Sequence, residues 1–256
     1  MKKVIILSII VLISSSCGQT RNNQAETDSN EIVIENFTEE VFDSTYYFML
    51  KEAYNNNDKV LLNAFFEKWS EASLNMKTEN ESEIAKILND IYIKIYHPFD
   101  YKKYGWSPRP HYSKYKYAIL PTEIKFKIMN IDSIKNDDFW FNFEMDTLKQ
   151  FYPNPNLGHA GRLLDIDPFK KSMELFLEED SYKKNRFLDS YYHIMTPISY
   201  NWKDYKTTPE VYYILINKQL NKAIAYLKII STGVSIELSF KNNEWNTEKV
   251  NNIWIE

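Results

Sequence analysis

The run NLGHAGRLLDIDP, residues 156–168, gathers the residue types that could do acid–base chemistry. It places His159 and Arg162 beside two carboxylates, Asp165 and Asp167, in backbone flanked by glycine. A histidine, an arginine and carboxylates in one place can form a hydrolytic or an anion-binding site. The alternative is a loop that leads into a helix, with Asp167 as the N-cap and the proline in the favoured first position. We favour the second interpretation.

The segment 101–117, YKKYGWSPRPHYSKYKY, is a basic and aromatic island that contains no acidic residue. Aromatic faces stack on sugars, and cations pair with phosphate or carboxylate. The segment could therefore bind a glycan or an anionic polymer. In the alternative, which we favour, it is a long loop whose tyrosines pack on the body of the protein while its lysines lie in water. The side chains that we consider for ligand binding are Tyr104, Trp106, Arg109 and Tyr112 of this island, together with His159 and Arg162.

Motifs for nucleophilic, metal or nucleotide chemistry do not occur in the chain. The four histidines form no HxH, HxxxH or HExxH pattern, and no EF-hand pattern is present. GxSxG is absent, and the two SxxK strings, at 113–116 and 181–184, have no SDN or KTG beside them. Neither glycine-rich phosphate motif occurs. We expect no catalytic residue, no metal and no cofactor.

The N-terminus has the pattern of an export signal. Lys2 and Lys3 precede an uncharged apolar run, residues 4–13, and small residues then lead to Cys17, which is the single cysteine of the chain. The apolar run is too short to span a bilayer, which takes about 20 residues. A single cysteine cannot form an internal disulfide, but its thiol can accept a lipid.

Residues 1–17 resemble a bacterial lipoprotein signal peptide. Ser15, Ser16 and Cys17 fit the lipobox, whereas Ser14 stands where leucine is usual. The resemblance implies cleavage before Cys17 and a lasting acyl anchor on its thiol. Gly18 in place of aspartate implies the outer membrane where the cell has one. The alternative is an ordinary signal peptide that leaves Cys17 as a free thiol.

The composition predicts a large core and an acidic surface. Hydrophobic residues make up 44% of the chain and aromatic residues 16%, and the net charge is −4. The negative charge argues against nucleic acid as a partner. We divide the chain into a signal peptide (1–16), a polar tether (17–35) and a single α+β domain (36–256).

Helical patterns come first in this domain. Thr38 and Asp58 are predicted N-caps of the first two helices. The third helix has an apolar stripe of Ile84, Leu88, Ile91 and Ile95. Two further helices are predicted, one starting at Asp167-Pro168 and one at about 184–195.

Strand patterns dominate the C-terminal part. Residues 124–128 alternate as a half-buried strand, and 139–143 could be another. The last four strands are predicted at 211–216, 223–230, 234–240 and 250–255, with short connections that indicate an antiparallel β-meander. We therefore expect an α+β fold in which N-terminal helices pack on an antiparallel sheet that ends in this meander.

The ending ELSFKNNEWNTEKVNNIWIE resembles the last hairpin of many uncharacterised bacterial lipoproteins. It is also loosely similar to NTF2-like folds, in which a curved sheet ends in a tryptophan-containing strand. Such folds host enzymes and binding proteins alike, so the resemblance implies a fold and leaves the function open.

Three functions are compatible with these patterns. The one that we favour is a membrane-anchored lipoprotein of the cell envelope that binds a glycan or an envelope protein without catalysis. The second is a hydrolase that uses His159 with Asp165 or Asp167. The third is a protective, immunity-like lipoprotein that binds another protein.

Overall fold

A computed structural model describes residues 44–77, 82–106, 115–134, 144–189, 207–229 and 232–255. These residues belong to one compact unit, 42–256. Helices dominate its first part and strands its last, so the predicted α+β class is confirmed. Cys17, Thr38, Arg109, Tyr112 and 139–143 lie outside the described residues, and the predictions made for them stay predictions.

The first three helices are α1 (Thr45–Asn55), α2 (Lys59–Asn75) and α3 (Glu83–Ile95). Asp58 is the N-cap of α2, as predicted, because its carboxylate accepts hydrogen bonds from the backbone nitrogens of the second and third helical residues at 2.9 and 3.0 Å. Ser82 caps α3 in the same way. Each cap satisfies backbone groups that a helix start would otherwise leave without a partner.

The meander consists of β5 (Glu210–Asn217), β6 (Lys222–Ile229), β7 (Thr232–Lys241) and β8 (Glu244–Ile255). Neighbouring strands in this order are antiparallel, as the sequence predicts. The alternation in β7 is real: its apolar residues Val234, Ile236 and Leu238 are buried. The turn between β7 and β8 is made by two asparagines with positive φ, which is the conformation that tight hairpins need.

The six-stranded sheet is mostly antiparallel, as predicted, and the remaining strands add two parallel pairings that the sequence did not indicate. In the six-stranded sheet, of order β3-β2-β5-β6-β7-β8, β2 (Glu123–Met129) pairs with β5 in the parallel direction and with β3 (Asp146–Lys149) in the antiparallel direction. A separate parallel pair joins β1 (Tyr117–Leu120) to β4 (Gly161–Leu164). The long connection between β2 and β5 carries two helices, which gives it the length that a parallel crossover requires.

Two short helices belong to that connection: α4 (Phe169–Leu177) and α5 (Ser181–Leu188). Pro168 stands just before the first helical residue of α4, one position earlier than predicted, and Asp167 is therefore not the N-cap. Asp167 still serves the helix start, because its Oδ1 accepts a hydrogen bond from the backbone nitrogen of Lys171 at 3.3 Å. A shift of one residue at a helix end is within the usual range of boundary definitions.

An aromatic part of the main core lies where α2 and α4 meet. Trp69 and Phe169 stack with ring planes 3° apart, and Phe65 packs edge-on against both. All three side chains are almost fully buried. Within the described ranges, no helix combines the length and the apolar character that crossing a bilayer requires.

Candidate functional site

His159 is held by the neighbouring backbone. Its Nε2 lies 3.0 Å from the carbonyl oxygen of Tyr115, and its ring centroid lies 5.8 Å from that of Phe99. A carbonyl only accepts, so Nε2 carries the proton and donates it to this bond. The imidazole therefore ties the start of β4 to the segment before β1.

Arg162 has a similar structural role on β4. Its two terminal nitrogens donate to the carbonyl oxygens of Pro153, at 3.1 Å, and Ser73, at 2.8 Å. The side chain is half-buried, and this burial lowers the pKa of the guanidinium. Arg162 thus fastens the end of α2 and the loop before β4 to one strand.

The two carboxylates lie in other surroundings. Asp165 lines a cavity of about 320 Å³ at the carboxyl ends of β1 and β4, where its Oδ2 is 3.8 Å from Nζ of Lys170. Asp167 is exposed and is bound to the backbone of α4. His159, Arg162 and Asp167 therefore contact four different backbone segments, and Asp165 faces a lysine. This arrangement does not resemble a hydrolytic centre.

The first half of the aromatic island is packed on the body. The hydroxyl of Tyr104 donates to the carbonyl oxygen of Ile95 at 2.6 Å and accepts from the backbone nitrogen of His97 at 2.8 Å. Burial raises the pKa of the Tyr104 phenol. Trp106 is half-buried and makes an edge contact with Tyr101, whose side chain is also buried. These rings close the C-terminal end of α3 and present little surface to a ligand.

Two lysines of the island lie on the outside of this packed layer. Lys102 and Lys103 are exposed on a 3₁₀ turn, Tyr101–Tyr104, whose two tyrosines are buried. This turn, the C-terminal half of α3 and the hairpin of β7 and β8 form the walls of an open groove of about 880 Å³. We call it the α3–β8 groove.

The groove has an apolar part. Ile93 of α3 is 36% exposed and Phe240 of β7 is 40% exposed, although both are large hydrophobic side chains. The Phe240 ring leans on that of Trp245, with centroids 5.5 Å apart, and Trp245 itself is buried. An exposed phenylalanine held in place by a buried tryptophan is a rigid apolar contact surface.

The groove also has a basic part. Lys94, Lys102 and Lys103 line it, against the acidic side chains of Asp90 and Glu244. In a chain of net charge −4, this is a local excess of positive charge.

His97 lines the same groove as a neutral side chain. Its Nε2 lies 2.9 Å from the carbonyl oxygen of Lys94. Burial is the main cause that lowers the pKa of His97, with a smaller contribution of the same sign from Lys103. His97 therefore supplies a hydrogen-bonding ring at neutral pH and adds no charge.

The sequence pointed to part of this groove only. The island 101–117 contains two of its lysines, but the apolar contribution comes from Phe240 and Trp245, far away in the chain. One local pattern did indicate Phe240. It continues the apolar alternation of β7 into the last residues before the turn, where the sheet gives little cover to a large side chain. Nothing local could show that α3 lies beside this hairpin.

The groove combines apolar and basic surface. No cluster of three or more histidine, cysteine or acidic side chains suited to a metal ion occurs among the described residues. Comparison with protein-family models, with curated proteins and with solved structures finds no match to this chain.

Proposed function

We propose that this protein is an exported, lipid-anchored binding protein of the cell envelope that holds an anionic ligand in the α3–β8 groove without catalysis. One observation carries the proposal. Two exposed apolar side chains, Ile93 and Phe240, share a groove of about 880 Å³ with three lysines. Binding sites typically combine apolar surface with a few placed polar groups in a volume of about 300–1,000 Å³.

The charge of the groove indicates the sign of the ligand. Lys102 and Lys103 are exposed and adjacent, and Lys94 reaches the same space from α3. Ammonium groups pair with carboxylate or phosphate, and exposed pairs of this kind are weak singly and screened by salt. We therefore expect an anionic ligand whose affinity decreases as the ionic strength rises.

The sequence supports the anchor and the compartment. Lys2 and Lys3, the apolar run after them and Cys17 follow the pattern of a lipoprotein signal peptide. An envelope protein meets glycans, anionic polymers and other envelope proteins, and each of these classes includes anionic members.

The alternative of a hydrolase at His159 is less well supported. The proton on Nε2 of His159 is engaged with a backbone carbonyl, and Arg162 is engaged with two. A histidine base is usually oriented by a carboxylate, whereas of the two nearby carboxylates Asp165 contacts Lys170 and Asp167 contacts the backbone of α4. A protective lipoprotein that binds a protein is compatible with the groove, and it differs from our proposal in the biological role of the partner.

Charge reversal in the groove tests the proposed site. The full chain carrying Lys102→Glu and Lys103→Glu should bind two anionic probes, poly-glutamate and dextran sulfate, at least about tenfold more weakly than the wild type, because attraction becomes repulsion. Isothermal titration calorimetry at low salt measures this. The matched control is Lys77→Glu with Lys86→Glu, two exposed lysines that do not line the groove. Equal losses in both variants, or no binding of either probe by the wild type, would contradict the proposal.

A separate experiment tests the anchor. The wild type and Cys17→Ala are expressed in a bacterial host and compared by intact mass and by partitioning into detergent. We expect acyl mass and detergent partitioning for the wild type only, because several acyl chains hold a protein firmly at a membrane. An unmodified wild type that stays in the aqueous phase would show that the protein is not lipid-anchored.

A further inference from the structure

We infer that the ligand of the α3–β8 groove is an extended, acidic segment of another protein, which binds by adding a strand to the outer edge of β8. The inference rests on the proposed function and specifies the class of its ligand. It depends on three features of the groove: an edge strand, a helix face opposite to it, and the excess of lysine.

The edge strand comes first. β8 is the last strand of the six-stranded sheet and pairs with β7 on one side, while no strand within the described ranges pairs with its other side. In a β-strand, half of the backbone N–H and C=O groups point to each side. Residues Glu244–Thr247 of β8 line the groove, and the backbone groups that point outward in this stretch are those of Trp245 and Thr247.

The opposite wall is one face of α3. Asp90, Ile93, Lys94 and His97 all line the groove, and their spacing of three and four residues places them on the same side of the helix. An added strand would lie about 4.8 Å from β8, and α3, which contacts β8, would flank it. Its alternate side chains would face Ile93 and the lysines.

The charge selects the sequence of the segment. Three lysines against two acidic side chains favour acidic residues at the positions that face the groove rim. Exposed Ile93 and Phe240 favour apolar residues between them. An extended chain that alternates glutamate with β-branched residues offers both kinds of side chain in a sequence that favours the extended conformation.

A bulge limits the footprint. Leu238 pairs with Thr247 and its neighbour Glu237 with Lys249, so Glu248 is an extra residue in β8. Bulges interrupt regular pairing and bend the strand. We therefore place the added strand along Glu244–Thr247, before the bulge.

A peptide is favoured over a glycan for a geometric reason. The edge of β8 offers alternating donors and acceptors at the spacing of a polypeptide backbone, and main-chain hydrogen bonds supply much of the affinity when a strand is added. A sulfated polysaccharide could use the lysines, but it has no matching row of amides. The two ligand classes are thus distinguishable by removing amide hydrogens from the probe.

The test uses the full chain and three forms of one peptide, a heptapeptide of alternating glutamate and valine. In the second form the odd-numbered amides are N-methylated, and in the third the even-numbered ones. Because amides of alternate residues point to opposite sides of a strand, only one set can face β8. We expect the unmodified peptide to bind, one methylated form to bind at least about tenfold more weakly, and the other to keep its affinity within about threefold.

Hydrogen exchange supplies a second measurement. Binding of the unmodified peptide should protect the backbone amides of Trp245 and Thr247, which point away from β7, and the weaker methylated form should not protect them. Equal binding of both methylated forms would overturn strand addition, since charge alone would then account for the affinity. So would protection confined to other parts of the sheet.

The outcomes separate this inference from the proposed function. If dextran sulfate binds in a way that Lys102→Glu with Lys103→Glu abolishes, while the peptide does not bind, the groove is an anion site and strand addition is overturned. If neither probe binds, both proposals fail. If the chain forms dimers that the peptide does not dissociate, and hydrogen exchange places β8 in the dimer contact, the edge belongs to a second copy and the inference is overturned.

Discussion

The Oγ atom of Ser73 lies 2.8 Å from the backbone nitrogen of Leu164 and accepts its hydrogen bond. One helical turn earlier, Nε1 of Trp69 donates to the carbonyl oxygen of the same residue at 2.6 Å. Two side chains of α2 therefore satisfy both backbone groups of Leu164 in β4. In the interior, such groups cost free energy when they are left without partners, so α2 stands in for a neighbouring strand.

Ser73→Ala should lower the free energy of unfolding by about 1–3 kcal/mol, because it leaves the buried N–H of Leu164 without an acceptor. Urea denaturation measures the change. Ser172→Ala is a matched control: both serines are fully buried, and each donates to the carbonyl four residues earlier at 2.8 Å. Equal effects of the two substitutions would contradict the role that we give to the Leu164 bond.

Gly161→Ala should destabilise the protein by about 1–3 kcal/mol through overpacking. A Cβ atom at this position would lie 2.9 Å from two ring carbons of Tyr117, and that ring is stacked on Phe66. A double-mutant cycle with Tyr117→Leu isolates the clash. The cost of Gly161→Ala should be smaller in the Tyr117→Leu background. Strictly additive costs would show that the ring is not the obstacle.

Tyr104→Phe should cost about 1–3 kcal/mol of unfolding free energy, since it removes the partner of two backbone groups at the end of α3. Tyr47→Phe, on the half-buried face of α1, serves as the comparison and should be nearly neutral. Thermal and urea unfolding of both variants measure the difference. If Tyr104→Phe were neutral as well, the hydroxyl would not hold the C-terminus of α3.

The stability should depend on pH through His97. Burial lowers the pKa of His97 below its ordinary value of about 6.5, so the unfolded chain binds more protons than the folded chain between the two pKa values. The free energy of unfolding then rises with pH in that window, and the contribution is lost as the pH falls below about 6.5. His97→Gln should reduce the slope between about pH 5 and 7. Identical slopes for the two proteins would contradict the prediction.

Local features of this fold could be predicted from the sequence because their causes are local. The N-cap at Asp58 depends on residues two and three positions away, and the alternation in β7 depends on neighbours only two positions apart. The partners of Arg162 could not be predicted, because one of them, Ser73, is 89 positions away in the chain. Likewise, no local pattern shows that α3 lies beside the β7–β8 hairpin and so creates the groove.

The same distinction separates the lysines of the aromatic island from its tyrosines. Lys102 and Lys103 expose their side chains at the groove, whereas the ring of Tyr104 is buried in the protein. A sequence of alternating tyrosine and lysine indicates an interface between body and water, but it does not tell which side a ligand would meet. In the proposed site, the exposed lysines supply the charge and the buried tyrosines hold the turn that carries them.

The parallel pairing of β2 with β5 has a consequence for the order in which the protein folds. Phe126 and its partner Ile214 are 88 positions apart in the chain, whereas β5 to β8 follow one another through short turns. Closing a long loop costs entropy before its contacts repay it, so local hairpins form sooner. The C-terminal meander can therefore assemble first and serve as the template on which β2 and β3 dock. A truncation that removes it would take away the surface against which the N-terminal half completes its sheet.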